Sequence, residues 1–147
     1  MAVKTSTGLR NSMLATSAFK ALMDGGLIKV YSGTVPATAD DSLGSATLLL
    51  TISDNDTGAG IDFDTTPTAG TISKDPNQIW SGTIGTTGTP TFYRHVAAGD
   101  TGVSSITEAR IQGTVATAGG DMNFADVNFI AAATRSLTYY SVALPTF

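Results

Sequence analysis

The single histidine of the chain is the first residue to consider for catalysis. His95 lies in the segment "FYRHV", where strand alternation puts it on the same side as Tyr93 and opposite Arg94. In that position an imidazole could act as a general base. A catalytic triad, a Cys–His pair or a multi-histidine metal site would need partners that the sequence lacks, because it has no cysteine and no second histidine. We therefore interpret His95 as a half-exposed strand residue that is hydrogen-bonded to a neighbour.

An acidic stretch, "SDNDTGAGIDFD", is the second candidate for chemistry. Oxygen ligands that lie close together can hold Ca²⁺. The stretch departs from the calcium-loop template, since Ala59 stands where the turn glycine belongs and Thr65 where the bidentate glutamate belongs. Tight turns favour the same residue types, so turn formation is the favoured interpretation and a structural cation the alternative. The weak metal-ligand candidates are Asp54, Asp56, Asp62 and Asp64.

Other arrangements of polar residues give weaker signals. A polysaccharide hydrolase would need two carboxylates facing one cleft, and besides the acidic stretch only Glu108 with Asp100 could supply them. The glycine-rich segments at 82–90 and 115–121 neither open a helix nor carry the lysine that phosphate-binding loops require. We predict that the chain is not an enzyme, has no catalytic residue and binds no cofactor.

The aromatic residues could stack on sugars or bases. No basic groove accompanies them in the sequence, and aromatic residues in strands usually pack in a core or an interface. We favour packing for all of them: Tyr31, Trp80, Tyr93, Tyr139 and Tyr140.

Charge and composition limit the partners. The chain has 12 acidic and 8 basic residues, a net charge of −4, and its basic residues are scattered singly. This distribution argues against nucleic-acid binding, which needs clustered Lys and Arg. No apolar run approaches the ~20 residues that span a bilayer, so we expect no membrane segment. Only 14% of the residues are charged, and a weakly charged surface tolerates close neighbours.

The predicted secondary structure changes once along the chain, from helix to strand. Apolar residues at spacings of three and four predict one helix over 8–24, capped by Ser6 or Thr7 and ended by the "DGG" segment at 24–26. A flexible arm, residues 1–7, precedes it, with little to hold it except a neighbour. The predicted apolar stripe of the helix contains Leu14, Ala15, Ala18, Phe19 and Leu22.

After the helix the hydrophobic period becomes 2, and short runs bounded by Gly, Pro, Asp and Asn follow one another. This pattern predicts a mainly β chain whose residues 8–147 form a single antiparallel β-sandwich or jelly-roll-like domain with one N-terminal helix. The predicted strands are 27–32, 46–53, 61–64, 71–73, 78–83, 91–96, 110–116, 122–129 and 136–144.

Two segments repeat one motif: "VYSGTV" at 30–35 and "IWSGTI" at 79–84. True repeats extend over ~20 residues or more with matching loops, and here the flanks do not match. We interpret the pair as recurring strand chemistry in a biased composition.

Three stretches carry a family resemblance: "TGLRNSMLATSAFKALMDGGLIKVYSGTVPATADDSLGSATLLLTIS", "ARIQGTV" and the closing "YYSVALPTF". With them the whole chain resembles a family of small virion structural proteins of tailed double-stranded DNA bacteriophages. The resemblance implies a protein made in the bacterial host cytoplasm and located in the virion. Small β-sandwich proteins of this size are similar to capsid cement or decoration proteins, which sit on the head shell, often as trimers.

For this chain the resemblance implies two partners, the major capsid protein and copies of the chain itself in a homotrimer or other symmetric homo-oligomer. The residues expected at such an interface are Val3, Lys4 and Thr5 of the arm and the terminal Phe147. The alternative is a tail, collar or head-fibre component that acts as a host-binding or connecting module.

Overall fold

The structure, a computed structural model, describes residues 3–146, and its chain is mainly β with a large, predominantly antiparallel sheet, as predicted. The arrangement of a sandwich or jelly roll stays a prediction. Two helices are present, α1 (Thr7–Ala15) and α2 (Phe19–Met23). The strands are β1 (Lys4–Thr5), β2 (Leu27–Ser32), β3 (Thr47–Asp54), β4 (Thr71–Ser73), β5 (Trp80–Thr83), β6 (Phe92–Val96), β7 (Arg110–Ala116), β8 (Met122–Asn123), β9 (Thr134–Leu137) and β10 (Ser141–Ala143).

The predicted single helix over 8–24 is broken in two. Thr16 ends α1, and both its backbone N–H and its hydroxyl donate to the carbonyl of Ser12. Side-chain hydroxyls that compete for backbone groups in this way favour helix ends over helix interiors. The predicted apolar stripe is therefore wrong in part: Leu14 is 87% exposed, whereas Leu9 and Met23 are the buried apolar side chains of the two helices.

The two ends of the helical region follow the sequence signals. Ser6 caps α1, because its hydroxyl oxygen accepts the N–H of Leu9 at 3.1 Å. After α2 the chain turns at Gly25, whose φ of 74° is the left-handed conformation that glycine adopts without strain. The predicted stop at the "DGG" segment is confirmed.

The large sheet has the strand order β1-β7-β6-β2-β3-β5-β9, with β8 added to β7 as the one parallel pair, and β10 pairs separately with β4. Strands β1 and β9 therefore stand at opposite ends of the sheet order. In the central strands Ile28 lies opposite His95, and His95 lies opposite Ile111. Lys29 lies opposite Arg94 one position along.

Three predicted strands are shorter than expected. Residues 61–64 form only isolated bridges, since the Asp24 carboxylate accepts the N–H of Phe63 and the Gln78 amide oxygen accepts that of Asp62. These side chains accept backbone N–H groups that the carbonyls of a neighbouring strand would otherwise accept. The predicted strand 122–129 is reduced to β8, and 136–144 is divided into the end of β9 and all of β10.

The predicted flexible arm is wrong for residues 4–7. Lys4 and Thr5 form β1, where they pair with Gln112 and Ile111 of β7. Ser6 is fully buried, and its N–H donates to the carbonyl of Arg110 at 2.9 Å. The chain's own sheet therefore holds this segment. Met1 and Ala2 lie outside the described residues.

The two copies of the repeated motif use their glycines differently. Gly33 follows β2 with a φ of 109°. Gly82 lies inside β5, where a Cβ would stand 2.0 Å from the carbonyl oxygen of Thr51. Both aromatic residues, Tyr31 and Trp80, are buried. In the first copy the glycine allows a positive φ, and in the second it makes room for the backbone of the neighbouring strand β3.

The central strands present two different faces, and both are buried. The apolar face carries Ile28, Val30, Tyr93, His95 and Ile111. The opposite face, which we call the charged face, carries Arg94, Arg110, Gln112 and the partly buried Lys29, together with the buried side chains of Tyr31, Phe92 and Val96.

Candidate interaction surfaces

His95 is fully buried in the apolar face, so the predicted half-exposed position is wrong. Its Nδ1 lies 3.3 Å from the hydroxyl of Tyr140, which is the hydrogen-bonded neighbour that the sequence could not identify. Its Nε2 has no partner among residues 3–146. Burial lowers the pKa of His95 to about 3, so the ring is neutral near pH 7. A buried neutral ring in this position fits packing in the core.

An aromatic cluster surrounds His95. The rings of Phe63, Trp80 and Tyr140 have their centroids 5.6, 6.1 and 5.6 Å from the imidazole. Burial raises the pKa of Tyr93, which adjoins the cluster, to about 12. Four of the five aromatic residues predicted to pack are buried; the exception is Tyr139, which is 73% exposed.

All four acidic candidates accept hydrogen bonds within the chain, three of them from residues distant in the sequence and one, Asp64, from within its own turn. Asp54 accepts the N–H of Ile79, Asp62 accepts the N–H of Gly25, and Asp64 accepts that of Thr66. Asp56 accepts the hydroxyl of Thr83 at 2.6 Å. In the part of the chain that the structure describes, no three acidic or histidine side chains group as metal ligands would.

Asp100 and Glu108 do not form a catalytic pair. Both Asp100 oxygens bind the guanidinium of Arg110, with Nε to Oδ2 at 2.6 Å and Nη2 to Oδ1 at 2.8 Å, and both side chains are fully buried. Burial alone would raise the pKa of Asp100, but the hydrogen bonds from Arg110 and from the Gly102 N–H bring it below its ordinary value. Asp100 is therefore ionised and structural.

The Asp100–Arg110 pair anchors an exposed loop, residues 101–108. Arg110 Nη2 donates to the carbonyl of Val103 at 2.7 Å, and the N–H of Ser105 donates to the carbonyl of Asp40 at 2.9 Å. Two large apolar side chains nevertheless point outward: Val103 is 63% exposed and Ile106 is 68% exposed. We call this surface the 101–108 loop.

Both glycine-rich segments begin in a strand, residues 82–83 in β5 and residues 115–116 in β7, and continue as loops. In segment 82–90 Thr83 donates to Asp56, and in segment 115–121 Asp121 accepts both the N–H and the hydroxyl of Thr114, at 2.8 and 3.0 Å. These contacts are within the chain and provide no cradle of free N–H groups.

A groove of about 610 Å³ lies between the two ends of the large sheet. Val3 and Thr5 line it from the β1 side, and Ser136 and Leu137 line it from β9. Since these strands are farthest apart in the sheet order, the sheet must curl to bring its edges to one cavity. We call this cavity the edge groove.

Three of the four predicted interface residues, Val3, Lys4 and Thr5, line one cavity of about 340 Å³ together with residues 38–40. Val3 is half exposed at the edge groove. Lys4 donates its ammonium to the carbonyl of Ala37 at 2.7 Å, and Thr5 is paired within the sheet. Phe147 lies outside the described residues. The interface role of these residues stays a prediction.

Two further comparisons complete the description. Neither helix has the length and apolar character that crossing a bilayer would require, over the residues described. Comparison of the chain with protein-family models, curated proteins and solved structures found no match.

Proposed function

We propose that the chain is a structural protein of a tailed-bacteriophage virion, and within the virion a capsid decoration protein that binds across neighbouring capsid subunits and stabilises the head shell. The observation that carries the proposal is the 101–108 loop. It exposes two large apolar side chains on a backbone that a buried ion pair and several hydrogen bonds hold in place.

A loop held in this way suits binding better than a mobile one. Association costs the ordering of loops and side chains at the interface, and a loop that is already fixed avoids part of this cost. Exposed apolar side chains gain free energy when a partner covers them, at ~25 cal/mol per Å² of apolar surface. Val103 and Ile106 are the anchors that we expect a capsid subunit to bury.

The low charge of the chain supports the same proposal. With 14% charged residues and a net charge of −4, long-range repulsion between copies is small. On a shell each copy meets the same surface many times, so a modest affinity per contact is multiplied once the first contact is made. A symmetric homo-oligomer, such as a trimer, would present several 101–108 loops to one shell.

Copy number tests the proposed location. Quantitative gel densitometry of purified particles should give a molar ratio to the major capsid protein near one. A dozen or fewer copies per particle would contradict decoration and favour the alternative, a tail, collar or head-fibre component. One observation favours that alternative: Tyr139 is exposed beside the edge groove, as a host-binding residue would be.

A paired substitution tests the surface itself. The double variant Val103→Ser with Ile106→Ser should lose occupancy on particles, measured by co-sedimentation with shells that lack the protein. Leu14→Ser is the matched control, because Leu14 is equally apolar and exposed but lies on α1. Equal occupancy of the double variant and the wild type would exclude the 101–108 loop as the binding surface.

A further inference from the structure

We propose that the edge groove is a binding site for neutral carbohydrate. Its volume of about 610 Å³ falls within the ~300–1,000 Å³ of small-ligand pockets. The proposal goes beyond a structural role in the virion, and it is carried by the chemistry of the lining.

The charge of the groove selects the class of ligand. Asp121 is the only charged side chain that lines it, and neither Lys, Arg nor His takes part among the described residues. A phosphate, a nucleotide or an acidic sugar would find no cation there and would be repelled by Asp121. The ligand must therefore be uncharged or weakly cationic.

The hydrogen-bonding groups of the groove select a ligand rich in hydroxyls. Ser136, Thr138 and Ser141 are among its lining residues, and their hydroxyls form no hydrogen bond to another of the described residues. Asp121 uses Oδ2 for the N–H and hydroxyl of Thr114 and leaves Oδ1 without a donor from the described chain. A carboxylate oxygen accepts from sugar hydroxyls, while protein hydroxyls both donate and accept.

An exposed ring completes the site. Tyr139 lines the groove and is 73% exposed, while its neighbour Tyr140 is buried in the aromatic cluster. Water-exposed aromatic rings offer an apolar face with a polar edge, to which the C–H face of a hexose ring is complementary. Tyr139 has no packing role that would account for its position, so we assign it as the stacking platform.

Saturation-transfer NMR on the purified chain tests the proposal with maltose, cellobiose and lactose as probes and glucuronic acid as the charged comparison. We expect transfer to at least one disaccharide and none to glucuronic acid. Tyr139→Ala should weaken the affinity about tenfold, and Tyr139→Phe should retain it within about twofold because the ring remains. Leu14→Ala is the matched control for an exposed apolar residue outside the groove and should leave the affinity unchanged.

Asp121 needs a separate control because it also supports β7. Asp121→Asn keeps an acceptor but removes the charge, and we expect about fivefold weaker binding. Thr114→Val removes a donor to the same carboxylate without changing a groove residue. If Thr114→Val weakens binding as much as Asp121→Asn, direct contact between Asp121 and the sugar is excluded.

Any one of three results would overturn the proposal. The first is no transfer to any of the three disaccharides, and the second is equal affinities for the wild type and Tyr139→Ala. The third is equal transfer to glucuronic acid. Since these measurements use the isolated chain and the copy-number experiment uses particles, failure of one proposal is distinguishable from failure of the other.

Discussion

The two faces of the central sheet are buried by different means. On the apolar face, Ile28, Val30 and Ile111 pack with the aromatic cluster around His95. On the charged face, Arg110 and Gln112 are equally buried, but each is held by hydrogen bonds to carbonyl groups of the segment 36–40. One face depends on area removed from water, the other on matched donors and acceptors.

The charged face constrains the identity of its residues more strictly than the apolar face does. Apolar packing tolerates similar shapes, whereas a buried charge requires a particular partner. Arg110 has Asp100, but Arg94 bonds only to Gln112 and to the carbonyl of Thr38, and its Nη1 has no partner among the residues described. Burial and the nearby Arg110 lower the pKa of Arg94. The hydrogen bonds of the charged face therefore fix the segments 36–40 and 100–103 against the sheet.

Breaking the ion pair should have the largest effect. We expect Arg110→Met to lower the free energy of unfolding by about 3–5 kcal/mol, because it leaves Asp100 buried without a counter-charge. Urea denaturation followed by the fluorescence of the buried Trp80 measures the change.

The double variant Asp100→Leu with Arg110→Met is the control. It removes both charges, so much of the lost stability should return. If the single and the double variant are equally destabilised, packing and not charge pairing dominates this face, and the contrast between the two faces fails.

The apolar face should respond to pH through His95. Its pKa is about 3 in the folded chain and 6.5 for an ordinary histidine, so below pH 6.5 the unfolded chain binds the additional proton. The free energy of unfolding should then fall by about 1.4 kcal/mol for each pH unit below 6.5. The total loss should reach about 2–3 kcal/mol at pH 4.5.

His95→Gln isolates this contribution. Glutamine does not titrate in this range, so carboxylates affect the variant and the wild type alike. The difference between their unfolding free energies, measured from pH 7 to pH 4.5, should change with the slope given above. Parallel curves would mean that His95 reaches solvent, contrary to its burial.

Replacing Ser6, which lies between β1 and α1, should have an intermediate effect on the free energy of unfolding. Ser6 is buried, and its hydroxyl donates to the carbonyl of Glu108 while accepting the N–H groups of Leu9 and Arg110. Ser6→Ala should cost about 1–2 kcal/mol, because it removes the cap of α1 and a bond to β7 together. Ser17→Ala, at an exposed serine between the helices, is the control, and thermal unfolding of both variants is the measurement. Equal melting temperatures would show that the Ser6 hydroxyl does not tie α1 to the sheet.

Local patterns in the sequence predicted much of the fold. The bounds of β2, β4 and β7 are those expected from alternation and turn residues, because these signals are contained in the strand and its flanks. The burial of Arg94 and Arg110 was not predictable. The carbonyls that satisfy them lie 56 and 71 residues away, at Thr38 and Ala39.

The candidate surfaces were harder to predict for a similar reason. Alternation implies that adjacent tyrosines face opposite ways, but it cannot tell which of Tyr139 and Tyr140 is exposed. The edge groove depends on the curl of the whole sheet, which no local segment encodes. Likewise, β1 was not recognisable in the sequence, because it is only two residues long and its partner β7 lies more than 100 residues away.

The smallest effect on the free energy of unfolding is expected for the exposed side chains of the 101–108 loop. The side chains of Val103 and Ile106 stand outside the ion pair that anchors their loop. Exchanging both for serine should therefore change the free energy of unfolding by no more than about 0.5 kcal/mol, as at other exposed positions. Urea denaturation of the double variant beside Arg110→Met separates the anchor from the surface that it presents. A loss of more than 1 kcal/mol in the double variant, beyond that surface range, would mean that these side chains pack within the chain, and their role as anchors for a partner would then have to be abandoned.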